Sequence, residues 1–338
     1  MAKILLSREA YFHNLSIIAQ KVGELSKVAV VLKDNAYGHG LLEMAQLSQE
    51  FGVSQAVVHN YQEAKQIRVF FETILVLAGQ EYKVDTKMHY GINALSQIEK
   101  MPKGANVELK VDTGMHRNGV AMAEVAEALE QIYTCGLDLK GVFTHNRSAD
   151  TLSSEWFWQA KNFEQVKKQV RIFVKENALD TPRFHSANSA STFRFGRFSE
   201  DLIRVGIAAY GCLEMDVTLA QPELKPVMKL YGEKIATRTL HAGEHVGYNA
   251  TFKSKKEMLV SSYDVGYADG LLRAASNNYT TPEGEKLLGR VSMDNSSFSG
   301  EREQLLIFDN VNRYAKSANS IAYEVLVGLH HEIKRVIV

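Results

Sequence analysis

The chain has 338 residues, 45% of them hydrophobic, with 23 glycines and 5 prolines; this is a folded globule without a low-complexity linker, long enough for two domains or a large barrel with an appendage. Lysine plus arginine and aspartate plus glutamate both number 39, so no global field favours nucleic acid or an anionic membrane, and small molecules are the expected partners. Cys135 and Cys212 are too few for a disulfide scaffold, no apolar run approaches a membrane span, and the start MAKILLSREAYFHN carries no cleavable leader pattern, so we expect a soluble, cytoplasmic protein.

From residue 7 onward, helical and strand patterns alternate at the spacing of βα units. Ser7 is placed to cap a helix carrying Leu15, Ile18 and Val22 on one face. Val28 to Leu32 is a continuous, valine-rich apolar run, the habit of a strand buried on both faces in a parallel sheet. Short β-like runs recur at Ala56 to Val58, Ile74 to Leu77, Lys87 to Tyr90, Val107 to Val111, Leu139 to Thr144, Arg183 to His185 and Leu202 to Ile207, making eight. Between them lie helical stretches such as Met122 to Ile132 and Glu155 to Glu176. This alternation predicts an α/β fold, a (β/α)8 TIM barrel with its catalytic groups on the strand carboxyl ends. After Pro226 strand-like segments (Met228 to Thr239, Met258 to Tyr263, Leu287 to Val291, Leu305 to Phe308) are separated by turns without a long amphipathic helix, which predicts a smaller, mostly β domain. The expected organisation is a barrel domain over 1–225 and a β domain over 226–338, with the first few residues able to pair with the latter.

Reactive side chains gather on those strand ends. Lys33 ends the first strand, Lys110 and Asp112 the fifth, His145 the sixth, His185 the seventh, and Arg204 with Gly206 the eighth. A lysine at such a place either snorkels to solvent as a structural residue or lends its amine to chemistry. Asp-Thr-Gly at Asp112 also occurs in aspartic proteases, but those need two carboxylates sharing a proton and the motif occurs here once. Gly243 argues against a helix joining His241 to His245, no acidic motif completes a site there or at His330-His331, and no metal is expected.

The blocks that follow these strands resemble those of the alanine racemase family. Lys33 to Gly40, KDNAYGHG, resembles the family's lysine signature, which implies that Lys33 carries pyridoxal 5′-phosphate (PLP) and that Tyr37 lies beside it. LKVDTGMHRNG is similar to the block in which an arginine, here Arg117, binds the substrate carboxylate and a lysine, here Lys110, is often carbamylated. A planar guanidinium suits a carboxylate through two parallel hydrogen bonds. Two adjacent cations would repel, and a carbamate on Lys110 would instead orient Arg117.

GVFTHNRSAD resembles the block whose histidine, here His145, lies against the cofactor ring, with Asn146 and Arg147 where the family has Phe-Ala. FHSANSA matches closely: the resemblance implies His185 behind the ring-binding arginine and cofactor contacts from Asn188 and Ser189. In Arg204-Val-Gly-Ile the implied roles are Arg204 facing the pyridine nitrogen and Gly206 and Ile207 offering amides to the phosphate. A guanidinium cannot give that nitrogen a proton as a carboxylic acid could, which weakens the electron sink and discourages transamination. In the β domain, VGYADG supplies Tyr267 as the implied second acid/base group, RVSMD supplies Met293 for the substrate carboxylate with Asp294 in support, and Tyr323 matches a phosphate-binding tyrosine.

The resemblance therefore implies a PLP-dependent isomerase that interconverts L- and D-alanine by two-base proton transfer, making D-alanine for peptidoglycan. It also implies a homodimer in which Tyr267 and Met293 serve the neighbouring subunit's site. Free lysine and tyrosine both titrate near 10, so each needs tuning by its surroundings. The changed wall at Asn146 and Arg147 keeps a broad-specificity amino-acid racemase as an alternative. A PLP-dependent decarboxylase is disfavoured by the Tyr267 and Met293 blocks, and a non-enzymatic PLP-binding protein by residues 226–338.

Overall fold

The structure, a computed structural model, describes residues 1–194 and 198–338. In chain order its first ten strands are β1 (Lys3–Leu6), β2 (Val28–Val31), β3 (Gln55–Val58), β4 (Thr73–Val76), β5 (Met88–Ile92), β6 (Asn106–Asp112), β7 (Val120–Ala121), β8 (Asp138–Phe143), β9 (Arg183–His185) and β10 (Ile203–Val205). Eight of them run parallel in the order β10-β2-β3-β4-β5-β6-β8-β9, with β7 added beside β6. Backbone bonds from Asp201 N to Phe184 O (3.1 Å) and from Arg204 N to Ala187 O (2.9 Å) tie β9 to β10 and nearly close the ring. Every residue of β2 and of β5 is buried, as a strand packed inside and out requires. The expected (β/α)8 barrel is the observed one.

Local signals explain the helices around it. The Ser7 hydroxyl accepts the Ala10 amide (3.2 Å) and starts helix Arg8–Val22, which ends at Gly23 with φ 86°. Helix Glu155–Glu176 buries Trp156, Phe163, Val166, Val170 and Val174 along one face.

The second domain is built on one long strand, β11 (Met228–Leu240), joined by β12 (His245–Val246), β13 (Phe252–Lys253), β14 (Met258–Tyr263), β15 (Ser296–Ser299), β16 (Gln304–Phe308) and β17 (Lys334–Ile337). β11 pairs with β1 and β16 along its first half and with β14 from Lys234 to Leu240, with register shifts at Leu230/Tyr231 and at Lys234/Ala236. β1 lies between β11 and β17, with Ile4 opposite Leu230 on one side and Arg335 on the other. The expected strand at Leu287 to Val291 is a correction: only Leu287 bridges Phe298, and the strand in this region is β15. Apolar residues at Leu287, Leu288 and Val291 are buried by core packing without a ladder. Two short helices, Val311–Ser317 and Ala322–Gly328, also form here.

One apolar core joins the halves, taking in Leu6, Tyr210, Leu230 and Leu326. The second short helix presses on the loop after β2 at Gly38, which has φ 74°; a Cβ there would stand 1.9 Å from the Leu326 carbonyl oxygen. Gly38→Ala is therefore expected to cost at least the ~1–3 kcal/mol of a left-handed non-glycine residue, before the clash is relieved. Chemical denaturation of the variant measures it, and unchanged stability would contradict this packing.

Candidate active site

The candidate amine, Lys33, is presented by an unusual turn. Lys33 follows β2 and Leu32, and the chain then passes through four left-handed residues, Asp34 (φ 55°), Asn35 (55°), Ala36 (53°) and Tyr37 (52°). Non-glycine residues there cost about 1–2 kcal/mol each. Specific bonds hold the turn: Asn35 Oδ1 accepts the Leu41 amide (2.8 Å), Glu63 Oε1 accepts the Asp34 amide (2.7 Å), and Arg335 Nε donates to Gly38 O (2.9 Å). His39 is buried, stacks on Tyr210 at 4.3 Å and donates from Nδ1 to Tyr37 O. Lys33 Nζ, partly exposed, stands 3.3 Å from Asp34 Oδ2.

Beside it lies a cup with the donors an anion requires. The Ser189 hydroxyl oxygen accepts the amides of Gly206 (3.1 Å) and Ala208 (3.3 Å), which leaves its own proton to donate. A Cβ on Gly206 would stand 2.7 Å from the Tyr37 hydroxyl, so the glycine allows Tyr37 to close over the backbone ahead of Ile207. The Tyr37 and Tyr323 rings are 5.9 Å apart, and burial raises the Tyr323 phenol to about 12. Asn188 is engaged elsewhere: it donates to Asn146 O (3.0 Å) and accepts from Ser191 N and Oγ.

The opposite wall is cationic. Lys110 donates to Asn118 Oδ1 (2.5 Å), and burial followed by the charges of Arg117 and Arg204 lowers its amine to about 8. Arg117 is exposed and makes no hydrogen bond or ion pair among the described residues. Burial, then Arg204, Lys110, Arg117 and Lys33, lower His145 to about 3, so these five groups share one rim. Arg204 is buried; its Nη1 donates to His185 Nδ1 (2.5 Å) and His185 O (3.2 Å), and its Nη2 to Thr144 O (2.6 Å) and Ser186 O (3.4 Å). Four of its five donors are thereby used, and Nε–H has no partner among the described residues.

Beneath Arg204, His185 is fully buried and meets Glu108 Oε2 at 2.6 Å. Glu108, His89 and Arg183, which form this layer, were not singled out from the sequence. The legible signal was a glutamate two residues before Lys110 on the same strand face, in a strand that alternates polar Asn106, Glu108, Lys110 and Asp112 with apolar Val107, Leu109 and Val111.

Tyr267 and Met293 lie on the β domain, half-exposed, and no hydrogen bond joins their side chains to Lys33, Lys110, His145 or Arg204. Their segments are locked together: Tyr267 N donates to Ser292 O, Ala268 N donates to Met293 O, and a Cβ on Gly266 would stand 2.1 Å from Met293 O. Asp294 is exposed beside them.

Amine, anion cup and a buried guanidinium whose Nε–H has no partner among the described residues, all on one rim, make this the site of a two-domain (β/α)8-barrel enzyme. The family models "Alanine racemase, N-terminal domain" and "Alanine racemase, C-terminal domain" match residues 6–214 and 227–337. The chain is 43% identical over 335 residues to an alanine racemase of a Nitratiruptor species, covering 99% of both chains. It is 39% identical over 340 residues to one from Campylobacter curvus, again covering 99% of both. Among solved structures, an alanine racemase from E. faecalis superposes with a TM-score of 0.87 at 26% identity over 100% of this chain and 98% of that one. One from Clostridium difficile 630 has the same fold, with a TM-score of 0.90 at 24% identity over 100% of this chain and 95% of that one. The chain belongs to the alanine racemase family, and it is an amino-acid racemase, an isomerase.

Burial holds His39 at about 4 and His185 at about 3, against about 6.5 for an unfolded histidine. Both are neutral bases in the fold, so protons favour the unfolded chain. Stability is expected to fall as pH drops below about 6.5, by up to about 1.4 kcal/mol per pH unit for each, until the folded values are reached. Unfolding at pH 5 should take up close to three protons at histidines, one each at His39, His185 and His145, the last lowered to about 3 in the same way. Calorimetry in buffers of different ionisation enthalpy counts them, and an uptake near zero would refute the assignment.

Proposed function

We propose that the protein interconverts L- and D-alanine with PLP, using Lys33 and Tyr267 of the partner subunit as the two proton-transfer groups. The observation that carries this reading is the convergence of Lys33, the Ser189–Gly206–Tyr37 cup and the unpartnered Nε–H of Arg204 on one rim. When bound, PLP supplies the electron withdrawal that makes the α-hydrogen of an amino acid removable.

The donor set suits that group. Lys33 would carry it, Ser189, Tyr37, Tyr323 and the amide of Ile207 would hold its phosphate, joined by the Gly206 amide on turning from the Ser189 hydroxyl, and Arg204 would face its ring nitrogen. His145 is held neutral beside it, able to pack against a ring without adding charge. Arg117, with no hydrogen-bond or ion-pair partner among the described residues, binds the substrate carboxylate, with the Met293 backbone of the partner subunit in support. With the D enantiomer the neutral Lys33 amine takes the proton while the Tyr267 phenol gives one to the opposite face; with the L enantiomer the Tyr267 phenolate takes the proton while the Lys33 ammonium gives one to the other face.

Alanine is favoured over a broader range by the two residues that depart from the family block. Asn146 is buried and donates to Ser191 Oγ (2.9 Å), while Arg147 reaches Gly114 O (2.7 Å) and Glu155. Both side chains are thus occupied by protein groups. D-alanine so formed in the cytoplasm would supply peptidoglycan synthesis. The deciding experiment offers the purified protein a panel of L-amino acids with PLP; alanine should racemise fastest, equal rates on larger side chains would favour the broad alternative, and no enantiomer from any would refute both.

Tyr267→Phe is expected to lose about 10²–10⁴-fold in rate. It should also abolish deuterium exchange into L-alanine while sparing that into D-alanine. Mixing inactive Lys33→Ala and Tyr267→Phe dimers should restore about a quarter of normal activity, because half the dimers are mixed and each has one intact site. No recovery after verified subunit exchange would refute a shared site.

We further propose that Lys110 is carbamylated, because an amine lowered to about 8 is partly neutral at physiological pH and able to attack carbon dioxide. The product anion would face Arg117. A carbamate carbon signal should appear in 13C NMR with labelled bicarbonate and vanish in Lys110→Arg; a spectrum identical for both would overturn the proposal.

A further inference from the structure

Glu108 is a carboxylate with no solvent exposure in the middle of β6, enclosed by groups from neighbouring strands. Oε2 accepts from His185 Nε2 at 2.6 Å, while Oε1 accepts from His89 Nδ1 at 2.8 Å and from Arg183 Nε at 3.1 Å, with Arg183 Nη2 also in contact. Gly141 on β8 makes the space, since a Cβ there would stand 2.7 Å from Oε2. Burial alone would push this carboxyl up, but Arg183, His185 and His89 hold it well below the usual range.

The two ring nitrogens of His185 face partners of opposite character. Arg204 has only donors, so Nδ1, 2.5 Å from its Nη1, must accept. An ionised carboxylate only accepts, so the ring proton belongs on Nε2, facing Glu108. Phe143 backs this ring in parallel at 5.0 Å, and the Arg204 guanidinium lies 5.2 Å from the same phenyl ring. Removing the carboxylate would let the imidazole take the other tautomer, setting Nδ1–H against a guanidinium that has nothing to accept it.

We propose that Glu108 is a positioning residue for Arg204: through the Nε2–H of His185 it fixes the tautomer that accepts from the guanidinium, and so sets the height and tilt of the group that faces the ring nitrogen of PLP. The part concerning PLP rests on the function proposed above; the part concerning His185 does not. Glu108 and Glu200 are the carboxylates that favour the charged form of Arg204, and Glu108 alone reaches it through a ring that can reverse its donor pattern.

The test is Glu108→Gln, nearly equal in size and able to donate where the carboxylate can only accept. 15N NMR of the histidine rings should show His185 protonated on Nε2 in the wild type, with the Nδ1–H tautomer gained in the variant. In the holoenzyme charged with ring-15N PLP, the pyridine nitrogen resonance should shift in the variant. Turnover should fall by roughly 10- to 100-fold with KM little changed, as for a misplaced rather than missing group. A wild-type His185 protonated on Nδ1 would overturn the proposal even if the variant failed to fold. An unchanged tautomer, ring-nitrogen resonance and turnover in a folded variant would overturn it too. A wild-type protein that binds no PLP would instead defeat the functional reading, and the tautomer measurement would still judge Glu108.

Discussion

The left-handed turn after β2 is the constraint on which the site depends. An amine at the mouth of a barrel is useful only if the chain leaves the strand without covering it, and Asp34 to Tyr37 do so by reversing the usual backbone hand. Four such residues together cost several kcal/mol. The offset comes largely from bonds that anchor the turn to its surroundings, through Glu63 on the Asp34 amide, Asn35 on the Leu41 amide, and Arg335 on the Gly38 carbonyl. Because Arg335 lies on β17, a strand of the second domain fixes the loop that follows Lys33 in the first.

The charge around that lysine is local. A chain with equal numbers of acidic and basic residues places Lys33, Lys110, Arg117 and Arg204 about one half-buried histidine. Cations crowded in this way depress one another, and Lys110 responds because an ammonium can lose a proton readily, whereas a guanidinium keeps its charge. The surplus attracts an anionic ligand carrying a carboxylate or phosphate. Asn118, which accepts from Lys110, accommodates this amine without neutralising it.

The barrel was legible because its strands are short apolar runs in a regular alternation, and burial on both faces leaves little else for such runs to be. Ser7 announced the first helix with equal clarity. In the β domain the same reading faltered: Leu287 to Val291 is apolar and buried but forms no ladder, while β15, Ser296–Ser299, is mostly serine. There, pairing with β14 decided the strand, and pairing is a tertiary property. The blocks offered candidate residues one by one, and the fold gathers Lys33, Lys110, Arg117 and Arg204 around His145. The layer behind them was not legible in this way: Glu108 belongs to no such block, and its meaning comes from His89, Arg183 and His185 on other strands.

The division into barrel and β domain is weaker in physics than in sequence. β1 leaves the barrel side to lie between β11 and β17, and Leu6, Tyr210, Leu230 and Leu326 share one apolar core. Helix Ala322–Gly328 presses its backbone on Gly38 while presenting Tyr323 beside Tyr37 at the anion cup. The backbone contact on Gly38 and the ring beside Tyr37 therefore come from a single turn of helix, so the cup cannot open by moving the second domain without also releasing the turn that carries Lys33. Rigidity of this kind would suit the proposed proton transfer, in which two groups keep their separation while only a proton moves.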